Sequence, residues 1–298
     1  MAELIVTNGV EYNDMTWLYY IGISVVLYSF SVTLQRILLK DQNNSPIAFS
    51  ILYQLIVGIL VGIAGLLFSD FQIPASIKEI IPNLILMVLF YGFSNVFIFS
   101  SLKNTEVSIF TVLFSTRALF TTLASSLILD ETLDSRQLTG LFLILLSVAF
   151  LNLQGNKFKI GKGEIFALLG ALLFGLANTN DRFLLQNMDL YPYVTLAFIA
   201  PAIFIAGVYP KEIVKIKGIL NTKTLGKLLL LCGIYATSAV TFFIALQSGT
   251  NSSQISAINL SSVILTVLLG ILFLGERTNL LKKIVCAIIS FAGLLLLI

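Results

Sequence analysis

The sequence predicts an all-α integral membrane fold, with ten transmembrane helices arranged as two five-helix inverted repeats. Three observations predict it: the composition, the number of long apolar runs and an internal repeat. Of 298 residues, 57% are apolar and only 11% charged, whereas soluble domains run at roughly 45–50% and about 25%. The same arithmetic excludes a disordered chain. With 18 Lys and Arg against 15 Asp and Glu the net charge is only +3, without the basic footprint of a nucleic-acid binder. There is no histidine, so imidazole-dependent triads, proton shuttles and most zinc chemistry are absent. Cys232 and Cys286 lie in apolar runs and read as small buried hydrophobes. Neither a cofactor nor a metal is expected.

A membrane crossing takes about 20 mostly apolar residues. Candidate spans lie at 17–39, 46–68, 81–102, 106–129, 136–154, 163–186, 191–209, 225–247, 251–274 and 280–298. The first follows a tail, residues 1–16, with Glu3, Glu11 and Asp14 but none of the basic residues of a cleaved leader. Trp17, Tyr19 and Tyr20, and Tyr191, Tyr193 and Tyr209 around the seventh span, fall where an interfacial aromatic belt belongs. The longest connection, Lys211 to Thr224, is too short for a separate domain. Of the Lys and Arg residues, 14 fall on one face and 3, Lys78, Arg136 and Arg182, on the other. By the positive-inside rule the first face is cytoplasmic and both termini are outside. The expected location is a plasma membrane, the inner one in a bacterium.

The repeat is read from four anchors. Arg36-Ile-Leu-Leu followed by Pro46 matches Arg182-Phe-Leu-Leu followed by Pro192 at an offset of 146. Tyr91 pairs with Tyr235 at 144, the two spans end in similar stretches at Thr105 and Thr250, and Glu131 pairs with Glu276 at 145. The repeats are residues 17–154 and 155–298, each with five spans. An odd number makes the second enter from the opposite side, the architecture of many secondary transporters.

These residues resemble the EamA domains of the drug/metabolite transporter superfamily. The resemblance runs from about Trp17 to Ile298 and is carried by Leu-Ile-Leu-Asp-Glu131 and Phe-Leu-Gly-Glu276-Arg, each just after the fourth span of its repeat. It implies a central cavity enclosed by helices 1–4 and 6–9, with helices 5 and 10 peripheral. The fifth and tenth spans here are short and poor in polar residues, as peripheral helices would be. The family often has a proline midway along helices 4 and 9; here Arg117 and Ser262 stand at about those places. Its ten-helix members are usually drawn with both termini in the cytoplasm, the reverse of the charge count.

The scarce polar residues within spans are the candidates for a substrate site. Arg117, halfway along the fourth span, is too deep to snorkel easily and costs roughly 2.5–3.5 kcal/mol there on insertion scales. It reads as an anion or carboxylate anchor, or as one half of a pair with Asp181, or as a donor to backbone carbonyls. Ser252, Ser256, Asn259, Ser262 and Thr266 share one helical face that lines either a wet cavity or a helix contact, Asn259 leaning towards a ligand. Tyr91 and Tyr235 occupy equivalent places, with Ser94 and Asn95 extending the first face and Ser238 the second. They stack on a substrate, gate it, or pack in the core. Tyr28 and Tyr53 are deep but have no repeat partner in this reading. Asn178 is spaced to meet both Asp181 and Arg182, and Arg36 and Arg182 read as helix-end contacts. Asp181 is the one acid well inside a span and the candidate for proton coupling. Glu131 and Glu276 read as helix caps or loop anchors. Gly58, Gly62, Gly65, Gly170 and Gly175 permit close helix approach, and Pro201 is placed to kink the seventh span.

The functional expectation is a secondary transporter moving a small metabolite, an amino acid or other carboxylate, by alternating access. Small multidrug exporters of that superfamily hold cations on an acid in the first helix; the first span here has none, and Arg117 disfavours cationic substrates. The alternative is a channel or a non-transporting sensor on the same scaffold. An enzyme would need acids, bases or metal ligands converging at one depth, which this sequence hardly provides. Expected partners are the substrate and membrane lipid, with no nucleic acid, for a monomer or homodimer.

Overall fold

The computed structural model describes residues 16–40, 44–69, 71, 77–129, 134–154, 157–158, 160–220, 222–248, 258–259 and 261–296. The first half contains α1 (Thr16–Leu39), α2 (Pro46–Phe68), α3 (Ile77–Asn104), α4 (Val107–Phe114), α5 (Arg117–Leu129) and α6 (Ser135–Asn152). A two-stranded antiparallel hairpin, β1 (Leu153–Gln154) and β2 (Lys157–Phe158), leads into the second half. That half contains α7 (Lys162–Asn187), α8 (Leu190–Val208), α9 (Pro210–Ile219), α10 (Thr222–Ser248), α11 (Ser262–Leu274) and α12 (Leu280–Leu296).

Local chemistry explains several boundaries. Ser45 caps α2 through its side chain, and Pro46 occupies the first turn, where no amide is missed. Asp134 and Gln137 form a reciprocal capping box on α6. Gly275, at φ 66°, ends α11 in the left-handed conformation that glycine adopts without a Cβ penalty. Pro201 lies inside α8, which runs on as one helix. The five glycines expected at helix contacts are at them: a Cβ on Gly175 would lie 2.7 Å from the Arg117 carbonyl and 2.8 Å from the Phe120 Cβ, so α7 touches α5 backbone to backbone.

Among the described residues, eight helical segments are long and apolar enough to cross a membrane; α11 is shorter, at 13 residues. Large apolar side chains such as Leu66, Phe68, Leu127, Leu272 and Phe273 stand exposed on the outside, as a lipid-facing surface requires. The structure revises three expectations. Residues 153–154, placed at the end of the fifth span, belong to the hairpin. The connection from Lys211 contains helix α9, pinned to the start of α2 by a 2.5 Å hydrogen bond from Ser45 to Glu212. Burial pushes the Glu212 carboxyl up, but hydrogen bonds from Lys215 and Ser45 and the Lys215 charge outweigh it and hold it below its usual value.

The third revision concerns the fourth span. It was expected to be continuous over 106–129, but it breaks at Ser115–Thr116. There the Thr116 amide bonds the Leu113 carbonyl and the Ala118 amide the Ser115 carbonyl, a tighter i to i+3 pattern. The hydroxyls hold it: Ser115 donates to the Val112 carbonyl at 2.6 Å and Thr116 to that of Leu113 at 2.7 Å. Residue 261 repeats the arrangement 145 positions later, with both the amide and the hydroxyl of Ser261 donating to the Ile258 carbonyl. Serine and threonine that bond back along a helix bend it. The sequence thus makes two equivalent interruptions without proline.

The helices pair across the two halves. α1 lies along α10, α3 along α7, α2 against α8, α4 against α11, and α6 against α12. Exchanging the halves turns the first pair into the second and returns each of the others to itself. The hydrogen bonds obey the same exchange: Ser94 on α3 donates to the Gly170 carbonyl at 2.9 Å, and Ser238 on α10 donates to the Ser24 carbonyl at 2.9 Å. Ser94 and Ser238 therefore join helices and do not extend a tyrosine-lined binding face. We predict that Ser94→Ala and Ser238→Ala each reduce stability by a similar, small amount, about 0.6 kcal/mol, and additively in combination. Thermal denaturation in detergent measures it, and a large loss in one variant with none in the other would contradict the equivalence.

Candidate functional site

The helix pairs enclose a central cavity with two lobes. The first is lined by Tyr28, Val32, Phe110, Thr111, Phe114, Ser115, Arg117, Ser262 and Val263. The second shares Tyr28, Val32, Phe110 and Phe114 with it and adds Gln35, Tyr53, Asn95, Ile98, Phe99, Phe174 and Tyr235. On α1 the lining residues 28, 32 and 35 follow a helical spacing of one face. On α4 and α5 the break brings Ser115 and Arg117 onto the wall that Phe110 and Phe114 already occupy.

Arg117 begins α5. Its guanidinium carbon lies 4.9 Å from the Phe114 ring centre, 5.2 Å from that of Phe174 and 5.7 Å from that of Tyr28, and its Nη1 donates to the Tyr28 hydroxyl at 3.3 Å. Ring faces attract a cation through their quadrupoles. Among the described residues no carboxylate lies within ion-pair distance of Arg117. Asp181, the partner considered from sequence, accepts hydrogen bonds from the hydroxyls of Tyr91 and Tyr193 instead.

Tyr28 was read as lacking a repeat partner, and the structure corrects this. Its equivalent is Phe174, 146 positions later. Tyr28 packs on Tyr235 at 6.3 Å, and Phe174 packs on Tyr91 at 5.4 Å. Arg117 thus sits between two equivalent rings, one from each half.

The other candidates are distributed as follows. Tyr235, Asn95 and Ser262 line the cavity. The Asn95 amide donates to Gln54 Oε1 at 3.1 Å and to the Tyr91 carbonyl at 2.9 Å. Tyr91 stands one ring behind the wall, against Phe174, with its hydroxyl turned to Asp181. Asn178 is behind it too, its oxygen 3.5 Å from the Tyr91 hydroxyl. Asn259 is in the short helical piece before the Ser261 turn and is not among the residues lining either lobe. That turn interrupts the continuous face on which the serine stripe was drawn. Thr266, further along it, is buried in α11 and is not among the residues lining either lobe. Ser252, Ser256 and Glu131 lie outside the described residues, as does the side chain of Arg182.

Sequence reasoning missed Gln35, Gln54, Phe114, Phe174 and Tyr193. Gln35 lines the second lobe and donates to the Tyr53 hydroxyl at 3.2 Å. A signal for it existed: it precedes Arg36 as Asp181 precedes Arg182.

The end of the bundle that collects Arg36, Lys103 and Lys283 is closed by charges used on backbone groups. Arg36 donates to the carbonyls of Leu102 and Lys103 at the end of α3, at 2.5 and 2.7 Å. Glu276 accepts from the amides of Val107 and Ser108 at 2.8 and 3.0 Å and from the Ser108 hydroxyl at 2.6 Å, capping α4 from the other half of the chain. Lys283 pairs with Glu106 beside it and donates to the Glu276 carbonyl at 3.2 Å. Arg36 and Glu276 therefore have the helix-end roles expected of them.

Residues 15–153 and 161–298 each match the EamA-like transporter family. The chain belongs to this family. With its multiple apolar helices, this EamA-like chain is a multi-pass membrane protein of the drug/metabolite transporter type. No curated protein matches its sequence. A solved structure titled only "Crystal structure of protein" is similar to this EamA-like chain with a TM-score of 0.63 at 17% identity, over 94% of this chain and 96% of that one. At that identity the likeness speaks for the fold alone.

Proposed function

We propose that the protein is a secondary transporter in a plasma membrane that carries a small carboxylate-bearing metabolite through the central cavity by alternating access, with Arg117 holding the carboxylate. Arg117 carries the reading: a guanidinium on the cavity wall, among aromatic rings, with no carboxylate in ion-pair distance among the described residues. A half-buried cation with no carboxylate in ion-pair distance among the described residues leaves its fork open, and a ligand carboxylate supplies the planar, bidentate partner that it fits. In this reading α11 and α12 complete ten crossings, and the two halves are inverted. The exchangeable helix pairs and hydrogen bonds support that topology. Such a scaffold alternates by rocking one arrangement against its equivalent. No proton passes through Asp181 in this reading, its two oxygens being engaged by the hydroxyls of Tyr91 and Tyr193.

Purified protein in liposomes tests the reading with labelled carboxylates and quaternary ammonium ions. Saturable carboxylate uptake, accelerated when the lumen is preloaded with unlabelled carboxylate, is the expected result. Transport of quaternary ammonium ions with no carboxylate uptake would overturn the substrate class, and linear flux without acceleration would identify a channel instead.

A further inference from the structure

Resting on that reading, we infer that the cavity selects a flat, aromatic or conjugated monocarboxylate that carries no ammonium group. The charge inventory sets the first half of this. Among the described residues that line the two lobes, Arg117 is the one cation and no acid is present. One carboxylate neutralises it. A zwitterion would bring a second positive charge close to Arg117, with no lining acid to balance it, while the Phe114 and Phe174 faces are already engaged by the guanidinium.

The rings set the second half. Beyond Arg117 the second lobe is walled by Tyr53, Phe99 and Tyr235. Tyr53 meets Phe99 edge to face at 5.1 Å and Tyr235 at 5.3 Å, with interplanar angles of 72° and 62°. These are the tilted geometries that aromatic rings favour with one another, and each such contact adds a preference over a saturated group of equal size. A planar body attached to the carboxylate on Arg117 extends into this lobe and continues the pattern. A puckered aliphatic ring fills the same space without the edge-to-face attraction.

Two matched pairs of ligands separate the two halves. Benzoate and cyclohexanecarboxylate share charge and approximate size but differ in flatness. 3-Phenylpropanoate and phenylalanine differ by the ammonium group. Affinities measured by calorimetry on purified protein in detergent avoid passive leakage of the free acids through lipid. The expected result is about tenfold tighter binding of the first member of each pair, all of it dependent on Arg117. Equal affinities within either pair, with binding still lost in Arg117→Leu, would overturn the inference and leave the carboxylate anchor standing. Binding that persists unchanged in a monodisperse Arg117→Leu protein would remove the anchor itself. Failure of the wild type to bind any of the four overturns both. Tyr235→Leu retains Arg117 and is expected to reduce the preference for benzoate over cyclohexanecarboxylate at least threefold; an unchanged preference would overturn the role of the rings.

Discussion

Arg117→Leu is expected to weaken carboxylate binding thirtyfold or more and at the same time to leave the melting temperature of the ligand-free protein close to that of the wild type. The first effect follows from removing one member of a desolvated charge pair, which costs about 2–5 kcal/mol. The second follows because the guanidinium is held by three rings and one tyrosine hydroxyl, with no acid in ion-pair distance among the described residues. Four such contacts at about 0.5–2 kcal/mol each are of the same size as the several kcal/mol for taking the charge out of water, so the two nearly cancel. Arg117→Lys keeps the charge but loses the fork, and an intermediate affinity is expected. Calorimetry and thermal denaturation on the same samples check both effects. A fall in melting temperature with unchanged affinity would show that Arg117 holds the fold together and does not serve a ligand.

Glu276→Ala is expected to produce the largest loss of stability among single changes outside the cavity, about 3–5 kcal/mol. Glu276 is 7% exposed and accepts two backbone amides and a hydroxyl at the start of α4. Truncation leaves those donors without an acceptor at the N-terminus of a helix of eight residues. It also disturbs the site where Lys283, itself 2% exposed, meets Glu106 and the Glu276 carbonyl. Glu276→Gln keeps one acceptor oxygen and is expected to lose about half as much. The midpoint of thermal denaturation in detergent is the measurement, and a Glu276→Ala midpoint within one degree of wild type would rule out the capping role.

The apolar runs and the matching anchors made the membrane class, the repeat and most helix ends legible, because length and periodicity are properties of the chain itself. The cap by Glu276 was legible for a related reason: a glutamate after a helix in both repeats is a pattern along the sequence. What escaped was set by contact between distant segments. Phe114 and Phe174 look like any apolar residue of a span until Arg117 is placed between them. Tyr91 has the right depth and the right repeat partner for the cavity, yet Asp181 draws its hydroxyl elsewhere. The break in the fourth span escaped because serine and threonine interrupt a helix only when their hydroxyls turn back to it, a rotamer choice that sequence does not record.

That break has a mechanical consequence. A proline removes an amide hydrogen and leaves a permanent joint, since no rearrangement restores the missing donor. At Ser115, Thr116 and Ser261 every donor is still present, and what holds each bend is a hydroxyl that rotation about one bond can withdraw. The net worth of such a bond is about 1 kcal/mol. These two bends are therefore spring catches: a turn of side chains releases the hydroxyl that holds each, and the hold responds to whatever those side chains touch, which for Ser115 is the Ser290 hydroxyl at 2.5 Å. The element next to Arg117 is thus both a wall of the cavity and a bend held by side-chain hydroxyls.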